Sequence, residues 1–122
     1  MNNKFEWINN NPLVTFEGDI IMDEIIYVDG KIFGDARFDF TKYVIYNFLE
    51  VNSLNLSNNE MKAISYIDKS ASRNNKKIKI ACVIKDDHTK KIILDYISFM
   101  IDSNWIIKYF HNINEAIDWC KK

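Results

Sequence analysis

The run Ile78-Lys79-Ile80-Ala81-Cys82-Val83-Ile84 and the polar turn Lys85-Asp86-Asp87-His88-Thr89 that closes it set the architecture of this chain. The first is dense in β-branched and apolar residues, with no Gly or Pro, and reads as the clearest strand of the chain. The turn supplies oxygen-bearing side chains that can cap a helix. That helix reads over about 89–103, with Ile92, Ile93, Tyr96, Ile97, Phe99, Met100 and Ile101 as its apolar positions. Trp105-Ile106-Ile107-Lys108-Tyr109-Phe110 follows as a strand. Asn112-Ile113-Asn114-Glu115 then opens a last helix, with Ile113, Ala116, Ile117, Trp119 and Cys120 inward. On the other side, Tyr43 to Leu49 is a second dense strand. Ser57-Asn58-Asn59-Glu60 is a capping box, because Ser57 can accept the N3 amide while Glu60 reaches back to the Ser57 amide. The helix it opens places Met61, Ile64, Ile67 and Ala71 on one face and ends near Arg73-Asn74-Asn75. This half therefore reads β-α-β-α-β-α. Strands alternating with helices imply a parallel sheet with right-handed crossovers.

The first third is less direct. Residues 4–8 and 13–17 are short alternating runs separated by Asn9-Asn10-Asn11-Pro12, which predicts an N-terminal β-hairpin. Residues 20–34 carry two conflicting signals. Asp29-Gly30 between Ile25-Ile26-Tyr27-Val28 and Lys31-Ile32-Phe33 suits a hairpin turn. Yet Met22, Ile25, Ile26, Ile32 and Phe33 also share one side of a helix, in which Gly30 costs about 1 kcal/mol. Local signals lean slightly to the hairpin.

Length and composition narrow the function. The chain has 122 residues, 48% hydrophobic and 27% charged, which predicts a single packed domain over 1–122. No Pro- or Ser-rich linker interrupts it. Lys+Arg is 16 against Asp+Glu 17, which argues against nucleic-acid binding. Gly18, Gly30 and Gly34 all lie in the first third. None falls in the later strand-to-helix turns where a phosphate loop would sit, and neither phosphate-loop motif occurs. No run reaches signal-peptide or membrane-span length. Cys82 and Cys120 lie in apolar contexts and read as buried free thiols, and with only two His and no C-x-x-C a zinc site is not expected. No cofactor is implied, and a reducing cytoplasm fits.

Three segments carry a resemblance. Asp35-Ala36-Arg37-Phe38-Asp39 resembles a D-P-R-F-D element, and Ile80-Ala81-Cys82-Val83 resembles an A-x-V strand before an acidic loop. Trp105-x-x-x-x-Phe110 followed by Glu115-Ala116-x-x-Trp119 resembles a W-x-V-x-V-F…E-A-x-x-W-L ending. In this order, over about 13–121, the chain resembles the small bacterial SpoIIAA-like proteins, also called STAS/SEC14-domain proteins. The resemblance implies an α/β fold, a SpoIIAA-like β-α superhelix. That is a mostly parallel sheet of four to five strands with about four helices. It also implies a helix over 21–34, overriding the hairpin signal, and regulation by a non-enzymatic module. Regulatory relatives carry a phosphorylated Ser at the start of a helix after a strand, in a D-S-S-G-like turn. Ser57 is the matching position. Here Asn55 stands for the Asp, Leu56 for the first Ser and Asn58 for the Gly, and Asn47 replaces an Asp common in the preceding strand.

Each candidate residue has a plain structural reading beside the functional one. Ser57 is an N-cap or a phospho-acceptor at a dipole-favoured anion position. Asp86, Asp87 and His88 form a cap and solvated loop, or a polar ligand edge at the carboxyl end of a strand. His111 could join Ser57 and His88 on that edge, but no orienting acid or oxyanion hole is visible, so no catalytic residue is assigned. Arg73, Lys76, Lys77 and Lys79, diluted by Asp68, read as a solvated turn. The apolar arc of the 89–103 helix spans about 200°, more than one sheet face needs. It predicts a protein-partner or homodimer surface, an apolar-ligand pocket lined by Ile93, Ile97, Phe99 and Met100 as in SEC14-like lipid binders, or cover on both sides, for instance by the N-terminal segment. The leading expectation is a cytoplasmic module acting by protein association. A small apolar-ligand or lipid carrier is the alternative.

Overall fold

The computed structural model describes residues 2–122. Two strands, β1 (Asn3–Ile8) and β2 (Asn11–Ile21), form the expected hairpin. Its turn is tighter than the sequence suggests. Asn9 takes the left-handed φ of 58° that Asn tolerates, and Pro12 lies inside β2, opposite Trp7. Then follow α1 (Met22–Phe33), a short 3-10 turn (Ala36–Phe40), β3 (Tyr43–Asn55), α2 (Asn58–Ser72), β4 (Lys79–Val83), α3 (Asp87–Phe99), β5 (Ile106–Phe110) and α4 (Ile113–Cys120). The sheet runs β1-β2-β3-β4-β5 in chain order, antiparallel only between β1 and β2. Each parallel step needs a crossover, and a sheet that advances in one direction by same-handed crossovers collects α1, α2 and α3 on one face. Helix α4 turns back under the other face, where Ala116 and Cys120 pack with Tyr43, Ile45, Ala81 and Val83.

The 21–34 helix is a case of tertiary context deciding. Helix α1 buries Ile25, Val28, Asp29 and Ile32 on one face, and a crossover is required between parallel β2 and β3. Gly30 is exposed on its outer side in helical conformation, and a Cβ there would meet nothing within 4 Å. Gly30→Ala therefore raises stability by about 0.5–1 kcal/mol, read as a higher urea midpoint with unchanged slope. Gly18 is different: at φ 76°, beside a register shift in the β2–β3 pairing, it holds a backbone conformation L side chains rarely adopt.

Helix α3 also departs from the sequence reading. It stops at Phe99, and Met100 to Asn104 form a turn in which the Ser103 hydroxyl donates to the Met100 carbonyl. Ile101 thereby leaves the apolar arc and is 85% exposed. Within the helix, Ile92, Ile93 and Tyr96 are buried, as is Met100 at its C-cap, while Ile97 and Phe99 pack half-buried against the same core. Their cover comes from α2 on one side and the sheet on the other. The N-terminal segment lies at the opposite sheet edge, beside β2.

Helix α2 corrects a face. Its buried stripe is Met61, Ile64, Ser65, Asp68, Ala71 and Ser72, while Ile67 is 36% exposed. From Ile64, a step of four residues stays on the face and a step of three rotates off its other side. Asp68, read above as part of a solvated turn, is therefore in the core.

The Asp35-Ala36-Arg37-Phe38-Asp39 element has a local role. Asp35 accepts the Arg37 amide at 2.8 Å and clamps the Arg37 guanidinium through both carboxylate oxygens. This holds the Asp35 carboxyl down at about 2, first through the Arg37 side-chain bond. The guanidinium lies 3.7 Å from the Trp7 ring centre, tying the turn to β1, and Phe38 is buried behind it.

Candidate functional site

Beyond the carboxyl ends of β3 and β4, the N-termini of α2 and α3 border a common groove of about 550 Å³. In open α/β sheets ligands bind outside the carboxyl ends of the strands. Ser57 stands on its rim as the N-cap of α2. Its Oγ accepts the Glu60 amide at 3.1 Å, and Glu60 Oε1 accepts the Ser57 amide at 2.9 Å, so the capping box read from sequence is complete. Ser57 is exposed.

Asp86 caps α3, its Oδ1 accepting the Thr89 amide at 2.8 Å, and the bonds to Thr89 pull its carboxyl below the usual range. Asp87 is exposed in the first turn of α3. His88 joins Ser57 in the groove, with Nε2 3.1 Å from the Leu54 carbonyl at the end of β3. A carbonyl only accepts, so Nε2 carries a hydrogen and is not free to take one from Ser57. His111 makes the same bond one strand further on, from Nδ1 to the Ile84 carbonyl at 3.1 Å. It does not line the groove. The expected edge thus divides: Ser57 and His88 share one groove, Asp86 serves as a cap, and His111 staples β4 to the chain after β5.

Lys91 is the basic side chain of the groove, and it pairs with Asp95 at 3.4 Å. Two helix N-termini and one Lys favour an anion there, while Glu60 and Asp95 oppose it. Among the described residues, no set of three His, Cys, Asp or Glu is grouped to hold a metal ion.

Of the residues expected to line an apolar pocket, Ile93 faces a core cavity of about 40 Å³, whereas Ile97, Phe99 and Met100 do not. That volume suits a few water molecules and leaves no room for an acyl chain. The cavity's polar lining was missed in the sequence: Asp29, Asp68, Tyr46 and Tyr96 meet there. The signal was present, since Ile25-Asp29-Ile32 and Ile64-Asp68-Ala71 keep helical spacing through an acid. Cys82 also lines it, and burial first, then the two acids, pushes its thiol up to about 12. That leaves the thiol unreactive. Both Cys82 and Cys120 are free and buried.

With this geometry in hand, solved structures identify the fold. No protein-family profile and no curated protein matches the sequence. In three dimensions the chain is similar to the anti-sigma factor antagonist SpoIIAA in its unphosphorylated form, with TM-score 0.64 and 11% identity over 98% of this chain and 97% of that one. It is also similar to an anti-sigma factor antagonist from Mycobacterium paratuberculosis, with TM-score 0.60 and 10% identity over 98% and 93%. A third likeness is to an uncharacterized DUF3478-family protein with a SpoIIAA-like fold from Shewanella loihica PV-4, with TM-score 0.58 and 12% identity over 97% and 91%. The class defined is the SpoIIAA-like, or STAS, fold: a mostly parallel α/β sheet entered through a β-hairpin.

Proposed function

We propose that this chain is a non-enzymatic regulatory module of the cytoplasm that works by associating with another protein. Ser57 is the position at which a phosphoryl group would switch that association. The observation that carries the reading is the exposed Ser57 hydroxyl on the rim of a groove bordered by two helix N-termini. The fold shared with two anti-sigma factor antagonists supports it. Phosphorylation would add about −1.5 to −2 charges at this rim. It would also displace Glu60 from the capping box by like-charge repulsion, changing both the charge and the shape a partner meets. Exposed Ile101 and Ile106, at and before the β5 edge strand, offer apolar contact for a partner or a second copy.

The test uses the difference between Ala and Asp at an N-cap. Asp caps as well as Ser, so Ser57→Asp keeps stability, whereas Ser57→Ala loses about 1 kcal/mol. Binding groups the variants differently, with wild type and Ser57→Ala together and Ser57→Asp apart. In quantitative affinity capture from an extract of the source organism, a partner held by wild type and Ser57→Ala drops at least about tenfold on Ser57→Asp, or the converse. Equal recovery on all three baits rejects the switch. Sedimentation velocity at micromolar concentration tells whether the partner is a second copy. The apolar-ligand alternative draws little support from a 40 Å³ cavity. Co-purified ligand in native mass spectra would revive it.

A further inference from the structure

Between the helices and the sheet, the core contains a cluster of acids and phenols that the groove does not use. Asp29 of α1 and Asp68 of α2 are each 2% exposed. Tyr46 of β3 donates its hydroxyl to Asp29 Oδ1 at 2.7 Å, and Tyr96 of α3 donates to Asp68 Oδ2. The remaining oxygen, Asp68 Oδ1, is buried without a partner. Both acids line the same 40 Å³ cavity, and two carboxylates cannot bond each other, because neither has a donor. A proton on Asp68 Oδ1 makes the orphan oxygen a donor on the cavity side, where Asp29 is an acceptor. Two buried negative charges would otherwise sit side by side, and no basic side chain lines the cavity.

We infer that Asp29 and Asp68 form a proton-binding site in the core, one carboxyl proton shared between α1 and α2, whose occupancy sets how tightly these helices pack. The groups facing it come from every element around the cavity: Asp29 from α1, Tyr46 from β3, Asp68 from α2, Cys82 from β4 and Tyr96 from α3. Burial pushes the Asp68 acid well above the usual carboxylate range, and the Asp29 charge pushes it further. Burial raises Asp29 as well. The phenols and the thiol are themselves raised, so they stay neutral while the acids titrate.

The sign of the pH effect follows. In the unfolded chain both acids ionise near the ordinary carboxylate value, while the folded chain keeps a proton to higher pH. The folded state binds more protons in that window, so stability is full below the ordinary carboxylate range. It falls as pH rises toward the raised value of the pair. Loosening would reach the Ser57 groove, because Leu54, Leu56 and Ile92 line both spaces. The proton site itself does not depend on any role for Ser57.

Carboxyl ¹³C NMR of wild-type protein reads the site directly. One Asp carbon is expected to titrate far above the exposed ones. Ordinary titration of every Asp carboxyl overturns the inference. Thermal melting supplies the second readout. Wild type loses roughly 5 °C or more between mildly acidic and mildly alkaline pH, and Asp68→Asn, which carries a permanent donor in place of the acid, removes most of that slope. A parallel slope in Asp68→Asn overturns the inference. Should that variant not fold, Tyr96→Phe decides, since Tyr96 supports the ionised form of Asp68. Its loss moves the inflection to higher pH, and an unmoved inflection counts against the shared proton.

Discussion

Phe16→Ala is expected to cost about 3–5 kcal/mol, a large part of the 5–15 kcal/mol that holds a domain of this size. Phe16 is fully buried on the helix-covered face of β2. Its ring stacks on Phe48 with centroids 5.0 Å apart and planes 4° off parallel, and lies 6.3 Å from the Tyr46 ring. These rings join β2 to β3, the longest strand pairing in the sheet, across register shifts that interrupt the ladder on either side of Glu17 and Gly18. Side-chain packing therefore helps carry a junction where backbone pairing is irregular. Truncation removes the ring and leaves a hole between the sheet and the helices packed on it, and the surrounding core closes such a hole only in part. Phe16→Leu keeps most of the apolar volume and loses far less, about 1–1.5 kcal/mol. Urea unfolding followed by far-UV circular dichroism checks both. An Ala variant within 1 kcal/mol of wild type would mean that the β2–β3 junction does not depend on this stack.

The parts of the fold legible in the sequence are those where one local rule acts alone. The β4 run, the Ser57–Glu60 capping box and the Asn112–Glu115 start of α4 all appear where they were read, because strand propensity and helix capping need only neighbours in the chain. Asp29-Gly30 misled because the pair suits a hairpin turn, yet it fits a helix as well, with Gly30 on the exposed side and Asp29 on the buried one. The choice is made by a sheet partner more than ten residues away. The 89–103 reading overran its helix because Met100 to Asn104 contain neither Gly nor Pro to mark the stop.

The candidate site was legible in part for a related reason. Ser57 and His88 could be placed at strand ends from order alone, but whether two strand ends share a groove depends on the sheet order. The acid cluster was invisible to a rule that assigns charged residues to the outside. Asp29 and Asp68 sit at helical spacing within apolar stripes, yet each makes sense in the interior only when the other is seen opposite it. The spacing within each helix marks the acid as facing the core, but nothing within either helix marks the other acid as its partner.

Trp105→Ala is the second large loss, about 3–5 kcal/mol, and its division into parts can be measured. Trp105 is buried just before β5. Its indole N–H donates to the Asn75 carbonyl at 2.7 Å, and its ring lies 5.9 Å from Phe33 at the end of α1. Phe33 in turn packs on Phe38 at 5.1 Å. Asn75 donates its side-chain amide to the Phe38 and Thr41 carbonyls, at 2.8 Å each. One indole therefore fastens the α2–β4 connection, the end of α1 and the 3-10 turn to the start of β5. Ala removes both the ring and the donor. Trp105→Phe keeps an aromatic ring against Phe33 but leaves the Asn75 carbonyl without its indole partner, a loss of about 1–3 kcal/mol. Asn75→Ala combined with Trp105→Phe should then cost less than the sum of the two single changes, since both act on the same connection. Strict additivity would separate the indole bond from the amide bonds and reduce Trp105 to a packing residue. Unfolding should be followed by circular dichroism, because these changes remove a fluorophore along with the contact it makes.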